Sequence, residues 1–244
     1  MIRTHNANGG QVWLADAVGV ETYNRLAALR PKPILICADP PYFKITNNAW
    51  DTQNLYMQVA KHAATYLPVG GSLLVWGGVG KPKQRVFFQF LAGVVTTVPS
   101  LHMHNLITWG KLRGYGTSTN YLFTREELAW FVKGSKPKVF NIPLLDKLRG
   151  YEEYDPKYPA KSAFKRRTNV WTDIPEILRG KVHECEKPIP LCKVQIATHS
   201  NPGDLVIDMF SGSGNMAKAC QALDRQFISI ENDPTEFKKI CSRL

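Results

Sequence analysis

The stretch Asp204–Leu223, DLVIDMFSGSGNMAKACQAL, decides which class of fold the sequence predicts. An apolar run typical of a buried strand leads into Gly212-x-Gly214, and a helical pattern follows. Glycines at such a junction let the backbone approach a ligand closely, and the helix N-terminus offers N–H groups that lack intrahelical partners. Glu231 ends the next predicted strand, where a carboxylate suits hydrogen bonds to ribose hydroxyls. We therefore predict a βαβ unit that binds a nucleotide-like cofactor.

The glycine loop alone does not decide which cofactor that is. Gly212–Ala217 fits the G-x-G-x-x-A pattern of dinucleotide-binding enzymes, so a nicotinamide or flavin oxidoreductase is one interpretation. No Gly-Lys-Ser/Thr follows, which excludes a kinase-like phosphate loop. Only thirteen residues follow Glu231, so the remaining strands must come from upstream. We expect a circularly permuted strand order.

The rest of the chain alternates between predicted strands and helices, which indicates an α/β fold. We predict a Rossmann-like, mixed and mostly parallel sheet with helices on both faces. Strands are predicted within 11–19, 33–39, 72–78, 104–111, 127–134, 204–210 and 226–233, and helices within 20–30, 54–67, 84–95, 188–200 and 215–225. Residues 135–172 are basic, rich in Tyr and Pro and without clear periodicity, so we interpret them as an insertion into a domain formed by 1–134 and 173–244.

A second motif, Asp39-Pro40-Pro41-Tyr42, ends the predicted strand ILICA. Proline cannot donate to a strand ladder, so the strand must stop there. A solvated turn would explain the carboxylate. The alternative is a site that needs a carboxylate, a carbonyl and an aromatic ring held in fixed positions.

The order of the two motifs resembles that of the amino-methyltransferases of DNA. DPPY after an apolar strand, followed far downstream by DMFSGSG and a strand that ends in an acid, is similar to their beta group. LPVGGSLLVWGG, LITWGK, REELAWFVKG, VWTDIP and HECEKP resemble further segments of these enzymes. The sequence departs from the family at Asn215-Met216, where a Thr pair is usual, and at Met209, where Pro is common. Both departures leave the glycines intact.

The resemblance implies methyl transfer from S-adenosylmethionine to an exocyclic amino nitrogen of a flipped-out base. The catalytic residues it implies are Asp39, Pro40, Pro41 and Tyr42. Asp39 and the Pro40 carbonyl would each accept an N–H bond from the amino group, Pro41 would keep residue 40 extended, and Tyr42 would stack on the base. The cofactor-binding residues it implies are Asp16, Asp39, Lys187, Phe210, Ser211, Gly212, Ser213, Gly214, Asn215 and Glu231; for Asp16 and Lys187, an ordinary surface charge is an equally good interpretation.

Adenine N6 is the expected target, because Asp at the first position of the motif is more typical of the adenine enzymes than of the cytosine-N4 enzymes. Cytosine N4 is the first alternative. A nucleic-acid-binding module without turnover and the NAD-binding oxidoreductase are more distant ones.

The net charge of +11 and the pI near 9.5 favour a polyanionic partner, which we expect to be double-stranded DNA. Residues 157–167, KYPAKSAFKRR, contain no acid and interleave aromatic residues with cations. We expect this stretch to contact phosphates through Lys157, Lys161, Lys165, Arg166 and Arg167. The resemblance implies that the insertion 135–172, which contains it, is the target-recognition region. The resemblance also implies a cognate restriction endonuclease and a homodimer as partners.

The remaining expectations concern location and metals. No apolar run approaches the length of a membrane span, and the N-terminal residues show no secretory signal, so we expect a cytoplasmic protein without a membrane partner. Five cysteines without a C-x-x-C pair suggest free thiols. His102, His104, His183 and Cys185 lack the further ligands of a zinc site, so we expect no metal.

Overall fold

The computed structural model describes residues 2–41, 54–78, 80, 83–148, 163–183 and 185–244. Strands within these ranges are β1 (Arg3–Ala7), β2 (Gly10–Leu14), β3 (Leu35–Ala38), β4 (Ser72–Gly77), β5 (Leu101–Tyr115), β6 (Phe123–Lys133), β7 (Leu144–Leu148), β8 (Phe164–Arg166), β9 (Val170–Trp171), β10 (Leu205–Asp208) and β11 (Gln226–Glu231). Helices are α1 (Val20–Ala27), α2 (Leu55–Tyr66), α3 (Lys83–Thr97), α4 (Ile189–His199), α5 (Asn215–Gln221) and α6 (Pro234–Arg243).

The main sheet has the order β1-β2-β11-β10-β3-β4-β6-β5-β9. Its central run from β2 to β4 is parallel, and β1 and β6 pair antiparallel with their neighbours. The last βαβ unit, β10-α5-β11, lies between β2 and β3, so strands late in the chain occupy the middle of the sheet. This is the circularly permuted order that the position of the glycine loop predicted.

Each face of the sheet carries its own hydrophobic core. Leu26, Tyr56 and Phe87 bring α1, α2 and α3 against one face, and Leu191, Ala217 and Phe237 bring α4, α5 and α6 against the other. Residues of β3 alternate between the two cores, because successive side chains of a strand point to opposite faces. The predicted α/β class with helices on both faces is confirmed.

Residues 135–172 contribute to two different sheets. β7 and β8 form a separate antiparallel pair, whereas β9 extends the main sheet by pairing in parallel with β5. The sequence patterns had placed no strand in this segment. Among the described residues, none of the helices has the length and apolar character needed to cross a membrane.

Candidate active site

A cavity of about 550 Å³ opens at the carboxyl ends of β3 and β10. Both predicted motifs contribute to its lining, although they are about 170 residues apart in the sequence. The predicted site residues that line it are Asp16, Asp39, Pro40, Pro41, Lys187, Phe210, Ser211, Gly212, Ser213, Asn215 and Glu231. Gly214 is not part of the lining but serves as the N-cap of α5, and Tyr42 lies outside the described residues.

The sheet topology explains why the cavity forms here. β3 and β10 are parallel neighbours, with Asp208 opposite Cys37. The helix that follows β3, α2, packs on one face, and the helix that follows β10, α5, packs on the other, which leaves a crevice at their carboxyl ends. The Met209 N–H donates to the Cys37 carbonyl at 2.9 Å, which holds the segments that follow β10 and β3 side by side.

Asp39 is held by a buried ion-pair network. Lys187 Nζ lies 2.6 Å from Asp39 Oδ2 and 3.0 Å from Glu126 Oε2, so one ammonium bridges two carboxylates. Lys111 pairs with the other oxygen of Glu126. The Lys187 ammonium also lies 5.1 Å from the centre of the Trp76 ring, and its side chain is only 11% exposed. Lys187 thereby fixes the position of the Asp39 carboxylate.

The network stabilises the charged forms of Glu126 and Lys187. Burial alone would raise the pKa of Glu126, but the charges of Lys187 and Lys111 lower it to about 2. Burial alone would lower the pKa of Lys187, but Asp39 and Glu126 hold that pKa above its ordinary value. The pair therefore stays ionised at neutral pH.

The glycine loop presents backbone to the cavity. Gly212 and Gly214 have φ angles of 49° and 77°, in the left-handed region that glycine adopts without steric cost. The Gly212 N–H donates to Glu231 Oε2 at 2.9 Å, and the N–H groups of Asn232 and Asp233 donate to Oε1, each at 2.9 Å. Burial raises the pKa of Glu231, although these three donors oppose the rise. Glu231 thus stands at the cavity in a fixed orientation.

A second polar cluster joins the loop to the segment before α4. Asn215 Nδ2 donates to Glu186 Oε1 at 2.7 Å and to the Lys187 carbonyl at 2.9 Å. Arg243 NH2 donates to Asn215 Oδ1 at 3.2 Å, and its NH1 donates to the Ser213 carbonyl. The amide of Asn215, one of the departures from the family pattern, therefore ties both the glycine loop and Lys187 in place.

Asp208 forms part of the floor of the cavity. Its Oδ1 accepts a long hydrogen bond, 3.4 Å, from the Phe210 N–H. Within the described part of the chain, Asp208 Oδ2 and Ser211 Oγ are buried and neither has a hydrogen-bond partner of good geometry, although the Ser211 side chain lies close enough to Asp208 to oppose the rise of its pKa. Burial raises the pKa of Asp208 to about 7, and the charges of Asp39 and Glu231 add to that rise. Two unpaired polar atoms beside a glycine loop are what a polar ligand would satisfy.

A family profile described as DNA methylase, N6_N4_Mtase, matches residues 34–241. This chain belongs to the N6/N4 DNA methylase family. The methylase is 31% identical over 228 residues to the Type II methyltransferase M1.MboII of Moraxella bovis, a match that covers 81% of this chain and 83% of the relative.

Solved structures share the fold of the methylase. The crystal structure of the M1.HpyAVI-SAM complex is 25% identical, with a TM-score of 0.64 over 96% of this chain and all of the other. The PvuII DNA methyltransferase, described as cytosine-N4-specific, is 17% identical with a TM-score of 0.72 over 97% of this chain and 86% of its own. The second likeness is one of fold alone.

Sequence reasoning did not identify three acids of the methylase site: Glu126, Glu186 and Asp208. Each had a detectable signal. Asp208 ends an apolar strand immediately before the glycine loop, Glu186 precedes Lys187, and Glu126 stands in REE at the point where a charged stretch turns into the buried run LAWFV. A buried strand that begins with acids needs cations nearby, which is the role of Lys111 and Lys187.

The cations predicted to contact DNA lie away from the cavity or outside the described residues. Lys157 and Lys161 belong to the residues that the structure does not describe. Lys165 and Arg166 lie in β8, with the Arg166 guanidinium 5.7 Å from the Phe140 ring. Phe140 stacks on Trp130, whose indole N–H donates to Ser72 at the amino end of β4, the opposite edge of the sheet from the cavity.

Arg167 has a different environment again. It pairs with Asp173, and its side chain is only 9% exposed. A phosphate contact by Arg167 would require this ion pair to break.

Proposed function

We propose that this DNA methylase transfers a methyl group from S-adenosylmethionine to N6 of adenine in double-stranded DNA. One observation carries the proposal: Asp39-Pro40-Pro41 at the end of β3 and the glycine loop at the end of β10 line a single cavity. A base site and a cofactor site that share one cavity allow direct transfer between them.

The cavity suits S-adenosylmethionine, the ligand of the M1.HpyAVI-SAM complex. When bound, this molecule supplies a methyl group on a positively charged sulfur. Glu231 would accept hydrogen bonds from its ribose, and Gly212 lets the backbone approach it closely. The unpaired Asp208 Oδ2 and Ser211 Oγ offer partners for its polar amino-acid end. Family membership favours this cofactor over the dinucleotide that the glycine loop alone left open.

The residues around Asp39 provide electrostatic preorganisation. The exocyclic nitrogen is a poor nucleophile, because its lone pair is conjugated into the base. Hydrogen bonds accepted by the Asp39 carboxylate and the Pro40 carbonyl favour a pyramidal nitrogen with its lone pair free to attack. Pro41 keeps Pro40 extended, and Lys187 holds Asp39 through Oδ2. Tyr42 is proposed to stack on the flipped base.

Adenine is proposed over cytosine because the first motif residue is Asp39. The name of the family covers both N6 and N4 enzymes, so cytosine N4 is the second candidate. Incubation with S-adenosylmethionine and genomic DNA, followed by digestion to nucleosides and mass spectrometry, distinguishes them. N6-methyladenine is expected, and Asp39→Ala should give none while DNA affinity remains close to that of the wild type. N4-methylcytosine would contradict the adenine assignment, and full activity of Asp39→Ala would contradict the role of Asp39.

A cognate restriction endonuclease is a further proposal, supported by relatives named as Type II methyltransferases. A homodimer is also proposed, on the resemblance alone. Light scattering after size exclusion measures the oligomeric state directly. Protection of methylated DNA from the proposed endonuclease tests the pairing of the two enzymes.

A further inference from the structure

The hairpin between β5 and β6 begins inside the site and projects out of it. β6 pairs antiparallel with β4 until Gly77 meets Glu127. Residues of β6 before Glu127 therefore extend beyond the carboxyl end of β4, on the edge of the sheet where Asp39 follows β3. Glu126, at the foot of this projection, contacts Lys187. We call residues 111–125 the hairpin tip.

The hairpin tip carries a large irregularity. Gly110 pairs with Arg125 and Tyr115 pairs with Phe123, so four residues of β5, 111–114, stand against Thr124 alone in β6. Bulges of this kind bend a strand and redirect its side chains, and they are frequent beside active sites. A Cβ on Gly114 would lie 2.7 Å from Leu122 Cβ, so the two strands pack tightly at this point. The hairpin tip therefore has a defined backbone conformation with closely packed strands.

The hairpin tip exposes apolar and aromatic side chains. Tyr121 is 92% exposed, Leu112 67% and Leu122 61%. Side chains of this size are rarely left in water in a group, and such a patch marks a contact surface. The patch lies on the side of the molecule where the cavity opens.

Charge identifies the kind of partner. The hairpin tip, KLRGYGTSTNYLFTR, contains three cations and no acid. Lys111 and Arg125, at its foot, pair with Glu126 and Glu127, and Arg113 is exposed farther out. Its turn consists of Thr, Ser and Asn side chains, which donate hydrogen bonds to phosphate and sugar oxygens. The backbone N–H of Arg113 donates to Glu176, and the segment after Glu176 presents the exposed cations Arg179 and Lys181 on its way to the cavity. The exposed cations Arg113 and Arg179 stand beside Glu176, and this excess of cations favours a polyanion as the partner.

We propose that the hairpin tip binds duplex DNA next to the base held in the cavity, with Arg113 on a phosphate and Tyr121 against a base or sugar. This inference rests on the proposed function, since it assumes that DNA is the substrate. The sequence predicted a DNA contact at Arg166, near the amino ends of the parallel strands. The proposal adds a contact at the carboxyl ends, where Asp39 lies. An exposed ring near a flipped base offsets part of the cost of unstacking.

Fluorescence anisotropy with a labelled 30-base-pair duplex tests the proposal directly in the full chain. Tyr121→Ser is expected to weaken binding about tenfold, the order of one lost aromatic contact to a base. Arg113→Gln is expected to reduce the slope of log affinity against log salt by about one, the value for one lost phosphate contact. Val69→Ser and Lys136→Gln, exposed residues near the amino end of β4, are the matched controls and should bind as the wild type does.

The outcomes separate this inference from the proposed function. Binding of Tyr121→Ser and Arg113→Gln within twofold of the wild type overturns the inference, as does an equal loss in the two controls. If DNA binding is unchanged but the variants shift from dimer to monomer in size exclusion, the hairpin tip is a contact between copies of this chain and the inference fails. Calorimetry with S-adenosylmethionine should show wild-type affinity in both hairpin-tip variants. If the wild type itself does not bind this cofactor, the proposed function fails, whatever the variants show.

Discussion

Lys187 shows how the fold keeps a charged group inside the site. A buried cation is costly unless anions compensate it, and here Asp39 and Glu126 do so from two different elements. Lys111 in turn compensates the second oxygen of Glu126. Removal of any one partner would leave a charge buried without compensation, so Glu126 matters to the site although it is not expected to touch substrate.

Glu126→Gln should destabilise the fold and impair catalysis. The amide cannot neutralise Lys187, and the loss of one member of a buried pair costs about 3 kcal/mol. Urea unfolding measures this loss, and steady-state kinetics should show a lower kcat with little change in KM for S-adenosylmethionine. Glu127→Gln is the control: Glu127 is also buried, but its partner Arg125 is half exposed, and the amide oxygen can still accept the hydrogen bond from Thr108 Oγ1. No buried cation loses its anion in this variant. Equal losses in the two variants would argue against a special role for Glu126.

Asp208 should make stability depend on pH. Its pKa is raised from an ordinary value of 3.8 to about 7, so the folded state holds a proton that the unfolded state releases. The stabilisation is fully present below about pH 4 and is lost as the pH rises through 7. The difference between the two values corresponds to about 4 kcal/mol.

Asp208→Asn removes this titration while it preserves the shape of the side chain. The free energy of unfolding of the variant minus that of the wild type should increase from pH 5 to pH 8, because only the wild type loses stability over this range. Urea unfolding at each pH measures the difference. A difference between variant and wild type that is the same at both pH values would show that Asp208 does not titrate in this range.

At the level of elements, α5 and α6 are coupled through the glycine loop. Arg243, in the last turn of α6, bonds the Ser213 carbonyl and Asn215. The loop conformation therefore depends on a helix that does not itself line the cavity.

Arg243→Gln is expected to weaken S-adenosylmethionine binding about tenfold, since a charge-assisted bond to the loop contributes about 1.4 kcal/mol. Isothermal titration calorimetry measures the affinity. Lys239→Gln, which removes an exposed cation from the same helix, should bind the cofactor as the wild type does. Unchanged affinity in Arg243→Gln would mean that the loop holds its shape without α6.

The sequence predicted the buried elements better than the peripheral ones. β3, β4 and β10 are continuous apolar runs and were found where expected. β1 was missed because RTHNA is polar and forms an edge strand. α6 was also missed, although Asp233 accepts hydrogen bonds from Thr235 and Glu236 as a regular N-cap and Pro234 occupies the first turn.

At the scale of the whole molecule, the sequence predicted that the two motifs form one site. It did not predict the ion-pair network around Asp39. A resemblance to a family assigns roles to residues that match its motifs, such as Asp39 and Gly212. The meeting of Lys111, Glu126 and Lys187 depends on the register of β5, β6 and the segment before α4, and no local pattern encodes that register. The DNA contacts predicted from the basic segment 157–167 remain a prediction, because Lys157 and Lys161 lie outside the described residues.

The position of β10 and β11 in the centre of the sheet has a consequence for synthesis on the ribosome. β2 and β3, made early, have no partner on their inner sides until β10-α5-β11 emerges and enters between them. A chain truncated after Ser200 should therefore lack cooperative unfolding by circular dichroism, and residues 201–244 added as a peptide should restore it. A cooperative transition in the truncated chain alone would contradict this. Until β10-α5-β11 is made, the nascent chain exposes two open sheet edges, at β2 and at β3, which could pair with other chains.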